Sequence, residues 1–361
     1  MSPDRSVIHA SAPAVGWWAS LRLLFKGRLN AALSLLSVAV LAWLAVTVIP
    51  WGVTHAVFDN NLDACRAARG QGACWGLIGE KWRLILFGRY PFEELWRPVV
   101  ASVLMVMACL VIARRQWWKP WILLAAVGVV VASVLLMLGG FLGLTPVPTE
   151  RLGGLSLTLL LAIIGNLMSL PLAVGLALGR CSHLPLIRVV CSTFVEVVRG
   201  VPLVTVLFMA SFMFPLFLPS GMNPDVLLRV AVGLTIFSAA YQAEVIRGGI
   251  NSVPRGQLEA AQSLGMGYWL TQGKVVLPQA FRVVVPPLVN SFIALFKDTS
   301  LVTIVSLFEL FGSLRLALAD PEWRPFYVEG FIFVALIYWV FCSAMSKYAR
   351  GLERDFAVAR R

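Results

Sequence analysis

A loop that cradles nucleotide phosphates needs two glycines with four residues between them, then a lysine and a hydroxyl that reaches magnesium. The nearest approach in this chain is Gly267, Gly273 and Lys274, with five residues between the glycines and Val275 after the lysine. The pattern fails twice, so the chain itself is expected to bind no ATP and no magnesium. His9, His55 and His183 are scattered, and no HExxH, CxxC or GxSxG occurs. No catalytic residue and no metal site is therefore expected. What remains is polarity set in apolar surroundings: Asn290, Lys297, Asp298, Thr299 and Ser300 interrupt one greasy run. Ionisable groups at membrane depth are costly and usually functional. The group has two readings: pairing with other helices that holds a bundle together, or a polar patch along a solute's route. Asn290 precedes Lys297 and Asp298 by two helical turns and falls near their face. Glu196, Arg199, Arg229, Glu244, Asn166 and Gln242 are further polar candidates.

The elements that carry these groups follow from composition. Of 361 residues, 59% are apolar and 13% charged, and mean hydropathy is +0.83. Soluble domains run nearer 45–50% apolar and about 25% charged, so an all-α integral membrane protein is expected. A spanning helix needs about 20 apolar residues. Eight runs qualify: Leu29–Val48, Pro98–Ala113, Pro120–Leu144, Leu152–Gly179, one within Gly200–Pro224, Val226–Ala243, Val283–Phe308 broken by Lys297 and Asp298, and Gly330–Ser346. The first is too long for the apolar region of a cleaved signal peptide. It reads as a permanent helix, with Trp17 and Trp18 near the interface.

Eight spans put both termini on one side. With that side cytoplasmic, 19 Lys and Arg face six Asp and Glu there, while the rest of the chain nets −1. This is the asymmetry of the positive-inside rule. The net charge of +12 is thus a topology signal and not a nucleic-acid surface. Cys65 and Cys74 fall in the one long polar loop, 59–97, which this topology places outside. An oxidising compartment permits a disulfide between them; the alternative is two unpaired thiols. The aromatics of that loop predict short helices lying on the outer surface.

The chain divides at "GLTPVPTERLGG". Residues 1–148 give three helices and the outer loop, 149–350 five helices, and 351–361 a tail. Among the links of the five-helix region, the inner one at 247–282 is long. Its "GGINSVPRGQLEAAQSLG" reads as a turn and a short helix ended by Gly265. "YWLTQGKVVLP" reads as a second short helix closed by Pro278. A loop held in shape between spans is a functional one more often than a linker.

The residues Glu259-Ala260-Ala261, Gly265, Val275 and Leu277-Pro278 match a pattern of Glu-Ala-Ala, three residues, Gly, nine residues, an aliphatic residue, any residue, Leu-Pro. This resembles the signature loop of ABC importer permeases, with Val275 where isoleucine is usual. "FVEVVRGVPLVTVLF", "AYQAEVIRGGINSVPRGQ" and "LPQAFRVVVPPLVNSFIALFKDTSL" resemble the polar amino-acid branch of that family, over roughly residues 152–350. The three extra helices and "GACW" are similar to the general L-amino-acid permeases of Gram-negative bacteria. The resemblance implies a type I importer core of five helices plus three N-terminal helices, in a bacterial inner membrane. It implies a second permease subunit, two cytoplasmic ATPase subunits that hold ATP and magnesium, and a periplasmic amino-acid-binding protein. It implies that Glu259, Ala260, Ala261, Gly265, Leu277 and Pro278 couple the bundle to the ATPase. An ion-coupled secondary transporter and an integral membrane enzyme are the alternatives.

Overall fold

A computed structural model describes residues 26–114, 119–141, 143–219 and 221–358. Trp17 and Trp18 lie outside the described residues. The described chain is helical, and packing groups it into one unit up to Gly76 and another from Leu77 onward. The two are described separately.

The first unit opens with α1 (Arg28–Ile49), which runs on through a π turn to Thr54. Leu29, Leu35, Leu41, Trp43 and Val46 are all exposed around it. A helix apolar on every side is one that hydrocarbon solvates. After it comes α2 (Leu62–Ala67), whose first turn is capped by the Asn61 side chain accepting from Asp63 N at 2.9 Å. Cys65 and Cys74 are disulfide-bonded with Cα atoms 5.3 Å apart. Trp75 Nε1 donates to Gly52 O at 2.9 Å.

The second unit takes α3 (Gly76–Phe87) from Leu77 onward, then a hairpin of α4 (Trp96–Ala113) and α5 (Pro120–Leu138). Buried Arg97 ties the hairpin's end: it pairs with Glu94 at 2.7 Å and donates to Thr145 O at 2.7 Å. Then follow α6 (Gly154–Arg180), α7 (Pro185–Gly200), α8 (Leu203–Phe208), α9 (Val226–Asn251), α10 (Arg255–Ser263), α11 (Tyr268–Thr271), α12 (Leu277–Asp298), α13 (Leu310–Ala317) and α14 (Tyr327–Val358). The centre is α6 against α9. Ala173 and Ala177 of α6 and Ala239, Ala240 and Ala243 of α9 are buried in one cluster with Val195, Val284 and Leu288. Small residues one turn apart let helix backbones approach closely where no hydrophobic effect drives association. A polar knot crosses the same seam: Gln242 Nε2 donates to Ser169 Oγ and Ser238 Oγ, both at 2.8 Å.

Among the described residues seven helices are long and apolar enough to span a bilayer, and an eighth is counted only if a bent pair is taken as one. That pair corrects the fifth expected span. Pro185–Gly200 and Leu203–Phe217 meet at a 103° bend, and the second arm is α8 followed by a π turn and a 3₁₀ turn. Pro202, with no N–H to donate, sits at the bend.

The seventh span is corrected too. It begins not at Val283 but at Tyr268, and runs to Val305. Pro278 closes no helix; it lies in the first turn of α12, after a π turn over Gln272–Val276. Proline cannot donate to the helix ladder, and the widened turn accommodates its ring. Lys297 and Asp298 therefore end a 22-residue helix instead of breaking one midway. The expected second short helix is only the start of this span.

Helices α4 and α5 share a buried core with α6 through Ala101, Met105, Met137 and Leu157.

Candidate coupling loop and translocation path

The 247–282 link leaves the end of α9, turns at Ser252–Pro254 and forms α10. Pro254 precedes the helix with an extended backbone, a usual way to start one. The helix ends in a Schellman motif. Met266 N donates to Ala261 O at 3.1 Å and Gly265 N to Gln262 O at 2.9 Å, with Gly265 at φ 73°. Only glycine takes this left-handed conformation freely. A Cβ on Gly265 would meet nothing within 4 Å in the chain, so its backbone angle, not crowding within this chain, requires glycine.

The residues of the signature divide by direction. Glu259 and Ala260 are exposed, whereas Ala261 is buried against the chain's own bundle. Leu277 is half-buried and Pro278 exposed at the start of α12. Beneath them Val253, Val276 and Ala280 form a small core that anchors the loop. Two large apolar side chains project from it, Leu264 at 80% and Trp269 at 76% exposure. Sequence reasoning passed over both, because a single apolar residue beside a turn carries no periodic signal.

Next to the loop, Glu244 gathers three arginines. It takes Arg180 at 2.5 Å, Arg199 at 3.1 Å, and Arg247. Arg180 also lies 3.6 Å from Glu196. The cluster joins α6, α7 and α9 beside the bend that follows Gly200, so these charged candidates serve one another.

The proposed path residues are separated. Asn290 and Lys297 line one groove of about 350 Å³ with Cys342, Ser343, Ser346 and Arg350. Asp298 is half-buried and is not in it. The helical angle explains this: seven residues bring a side chain back to the same face, and eight carry it about 80° past. Thr299 is buried and its hydroxyl donates to Phe296 O at 2.8 Å. Ser300 is half-buried on the following 3₁₀ turn.

At the opposite end of the bundle stands a residue that sequence reasoning missed. Glu309, wholly buried, caps α13. Its oxygens accept from Phe311 N at 2.9 Å, Gly312 N at 2.8 Å, Thr303 Oγ1 at 3.1 Å and the Tyr338 hydroxyl at 2.9 Å. Thr158 of α6 reaches it at 3.4 Å. Burial pushes its carboxyl up, against the pull of these donors. In the sequence Glu309 was only the charge at which an apolar run stopped. Outside the spans as well, Lys81 of α3 pairs with Asp320 at 2.9 Å, which holds that carboxyl below its ordinary value.

A multi-span helical bundle that carries a capped loop between two of its spans is an integral membrane architecture, and comparison with known proteins gives its class. Residues 169–358 match the family described as binding-protein-dependent transport system inner membrane component. The chain belongs to that family, among its amino-acid ABC transporter permeases. It is similar to the inner membrane amino-acid ABC transporter permease protein YhdY of Escherichia coli (strain K12), 44% identical over 99% of this chain and 97% of that one. It is also similar to the glutamate/glutamine/aspartate/asparagine transport system permease protein BztC of Rhodobacter capsulatus, 36% identical over 92% of this chain and 91% of that one. Among solved structures, the crystal structure of an amino acid ABC transporter with histidines is 33% identical. It covers 56% of this chain and 92% of its own, with a TM-score of 0.50.

Proposed function

We propose that this chain is a permease subunit of an ATP-driven amino-acid importer in a bacterial inner membrane. It pairs with a second permease subunit to form the path, and two cytoplasmic ATPase subunits supply ATP and magnesium. A periplasmic binding protein delivers the amino acid. The chain carries out no catalysis of its own. The observation that supports this reading best is α10 with its glycine cap. It is a short capped helix, anchored beneath, presenting exposed Glu259 and Ala260, with Leu264 at its end and Trp269 at the start of the next span exposed beside it. Exposed apolar anchors beside one charge are what a desolvated protein contact uses. Closure of an ATPase pair would pull this helix and rock the bundle as a rigid body.

The amino-acid route is proposed to pass Asn290 and Lys297, with Asp298 and Ser300 beside them and Thr299 supporting the turn. Residues 1–148 are proposed as an added three-helix region, 149–350 as the transporting core and 351–361 as a cytoplasmic tail.

In vesicles holding the assembled transporter, uptake of a labelled L-amino acid is expected only with ATP on the ATPase side. Uptake driven by an ion gradient without ATP would overturn the reading in favour of a secondary transporter. Orientation is checked separately. A phosphatase reporter fused after Gly70 is expected to be active outside, and one after Arg255 inactive; equal activity of the two would overturn the topology.

A further inference from the structure

Two arginines with deeply packed side chains have carboxylate partners, and a third, half-buried one does not. Arg97 has Glu94, and Arg180 has Glu244 and Glu196. Arg229, in the first turns of α9, has no carboxylate partner among the described residues. Its Nη1 donates to the main-chain oxygen of Ser211, and its buried Nε has no partner. The hydroxyl of Ser211, also buried, has none either. A guanidinium cannot shed its charge, and one within a span without a counter-ion marks a functional site.

Arg229 lines a cavity of about 380 Å³ with Ser211, Asn223, Ser306, Phe212 and Val305. That volume lies within the range of small-molecule sites. The lining is mixed: a fixed cation, two serines and an asparagine together with Phe212, Pro215, Val226 and Val305. Ser306, at φ 65°, is the one non-glycine residue with positive φ among the described residues. Strain of this kind persists where the surroundings impose it, and it gathers at ligand sites. The cavity stands at the start of α9, the end of the bundle opposite α10, and neither Asn290 nor Lys297 lines it.

We propose that this cavity is an entry site that takes the α-carboxylate of an amino acid on Arg229, before the molecule reaches the Asn290–Lys297 groove. The missing counter-ion is then the ligand's own. The bond to the Ser211 carbonyl holds the guanidinium in one orientation, and its remaining donors suit the two oxygens of a carboxylate. The apolar residues of the lining accept side chains without selecting among them. This rests on the reading of the chain as an amino-acid permease, and it adds a second site to that reading.

The test uses the full chain in the assembled transporter, with Cys109, Cys181, Cys191 and Cys342 replaced by alanine and Asn223→Cys as reporter. Membrane-impermeant methanethiosulfonates, one anionic and one cationic, are applied from outside. The anionic reagent is expected to react about fivefold faster, because the fixed cation concentrates anions, and Arg229→Gln is expected to bring the two rates together. L-glutamine, L-leucine and L-arginine are tried as protectants beside 4-aminobutanamide, 3-methylbutylamine and agmatine, which lack only the α-carboxylate. At least one amino acid is expected to slow labelling about fivefold where its amine does not. Arg229→Lys, which keeps the charge and loses the fork, is expected to keep the reagent preference and lose the protection. Equal protection by the amines, equal protection by acetate, or protection that survives Arg229→Gln would each overturn the site. Vesicle uptake run on the wild-type chain beside labelling of the Asn223→Cys chain separates the two readings. ATP-driven uptake without protection sinks this site alone. Protection without ATP-driven uptake sinks the transporter reading alone.

Discussion

Replacing Gly265 by valine is expected to reduce ATP-driven uptake below about a tenth of wild type, with the chain still inserted. Gly265 sits at φ 73°, where an L-residue costs roughly 1–2 kcal/mol and a β-branched one is worse placed still. The strain falls on the Schellman bonds from Gly265 N and Met266 N. These set the angle at which α10 ends and the exposed side chains of Leu264 and Trp269 leave it. The spans do not depend on that turn, so insertion should persist. Three substitutions separate the causes. Gly265→Ala carries a milder strain, about 1 kcal/mol, and is expected to be intermediate. Asparagine tolerates the left-handed region, so Gly265→Asn should work nearly as well as glycine if backbone angle is what matters. If asparagine fails as badly as valine while alanine works, close approach by a partner is the cause instead. Uptake, membrane abundance by immunoblot and co-purification of the ATPase are the measurements. Normal uptake by Gly265→Val would remove the loop from the mechanism.

Glu309→Ala is expected to be the most destabilising single change in the second unit, by about 3–5 kcal/mol, because the four neutral donors around it lose their acceptor together. Those donors come from α13, the preceding 3₁₀ turn and α14, with α6 close by. The loss should therefore loosen several elements at once. An apparent melting temperature lower by on the order of 10 °C in detergent is expected. Glu309→Gln keeps one acceptor and should lose about 1–2 kcal/mol. The pH dependence has a definite sign. Glu309 lies between the span ending at Val305 and the one beginning at Arg324, and burial raises its carboxyl above the ordinary 4.5. A raised carboxyl contributes stability that is complete below the ordinary value and is lost as pH rises through the folded one. The wild-type advantage over Glu309→Gln should thus be larger at pH 5 than at pH 8. An advantage that grows with pH would mean that the donors outweigh burial. An unchanged melting temperature in Glu309→Ala would mean that the cap is not formed.

What the sequence determined by itself was what repeats locally or depends on totals. Composition alone makes the chain a membrane protein. Apolar length places α1, α4 and α6 within two residues and gives the starts of α5 and α9, because a spanning helix satisfies its own backbone and needs no partner to be legible. The capped loop is readable for the same reason: Pro254 and Gly265 act within one turn of where they stand. Tertiary structure decided the rest. Whether a proline ends a helix or starts one depends on what the neighbouring turn can absorb, so the sequence around Pro278 points to the wrong end of a helix. Which of Lys297 and Asp298 meets the groove depended on where α12 packs against α14, and that no local pattern states. Glu309 and Thr158 are 151 residues apart, and Arg229 reaches Ser211 across a bend. A charge in an apolar chain reads only as an interruption. Its meaning lies in the groups that surround it, and those are brought there by folding.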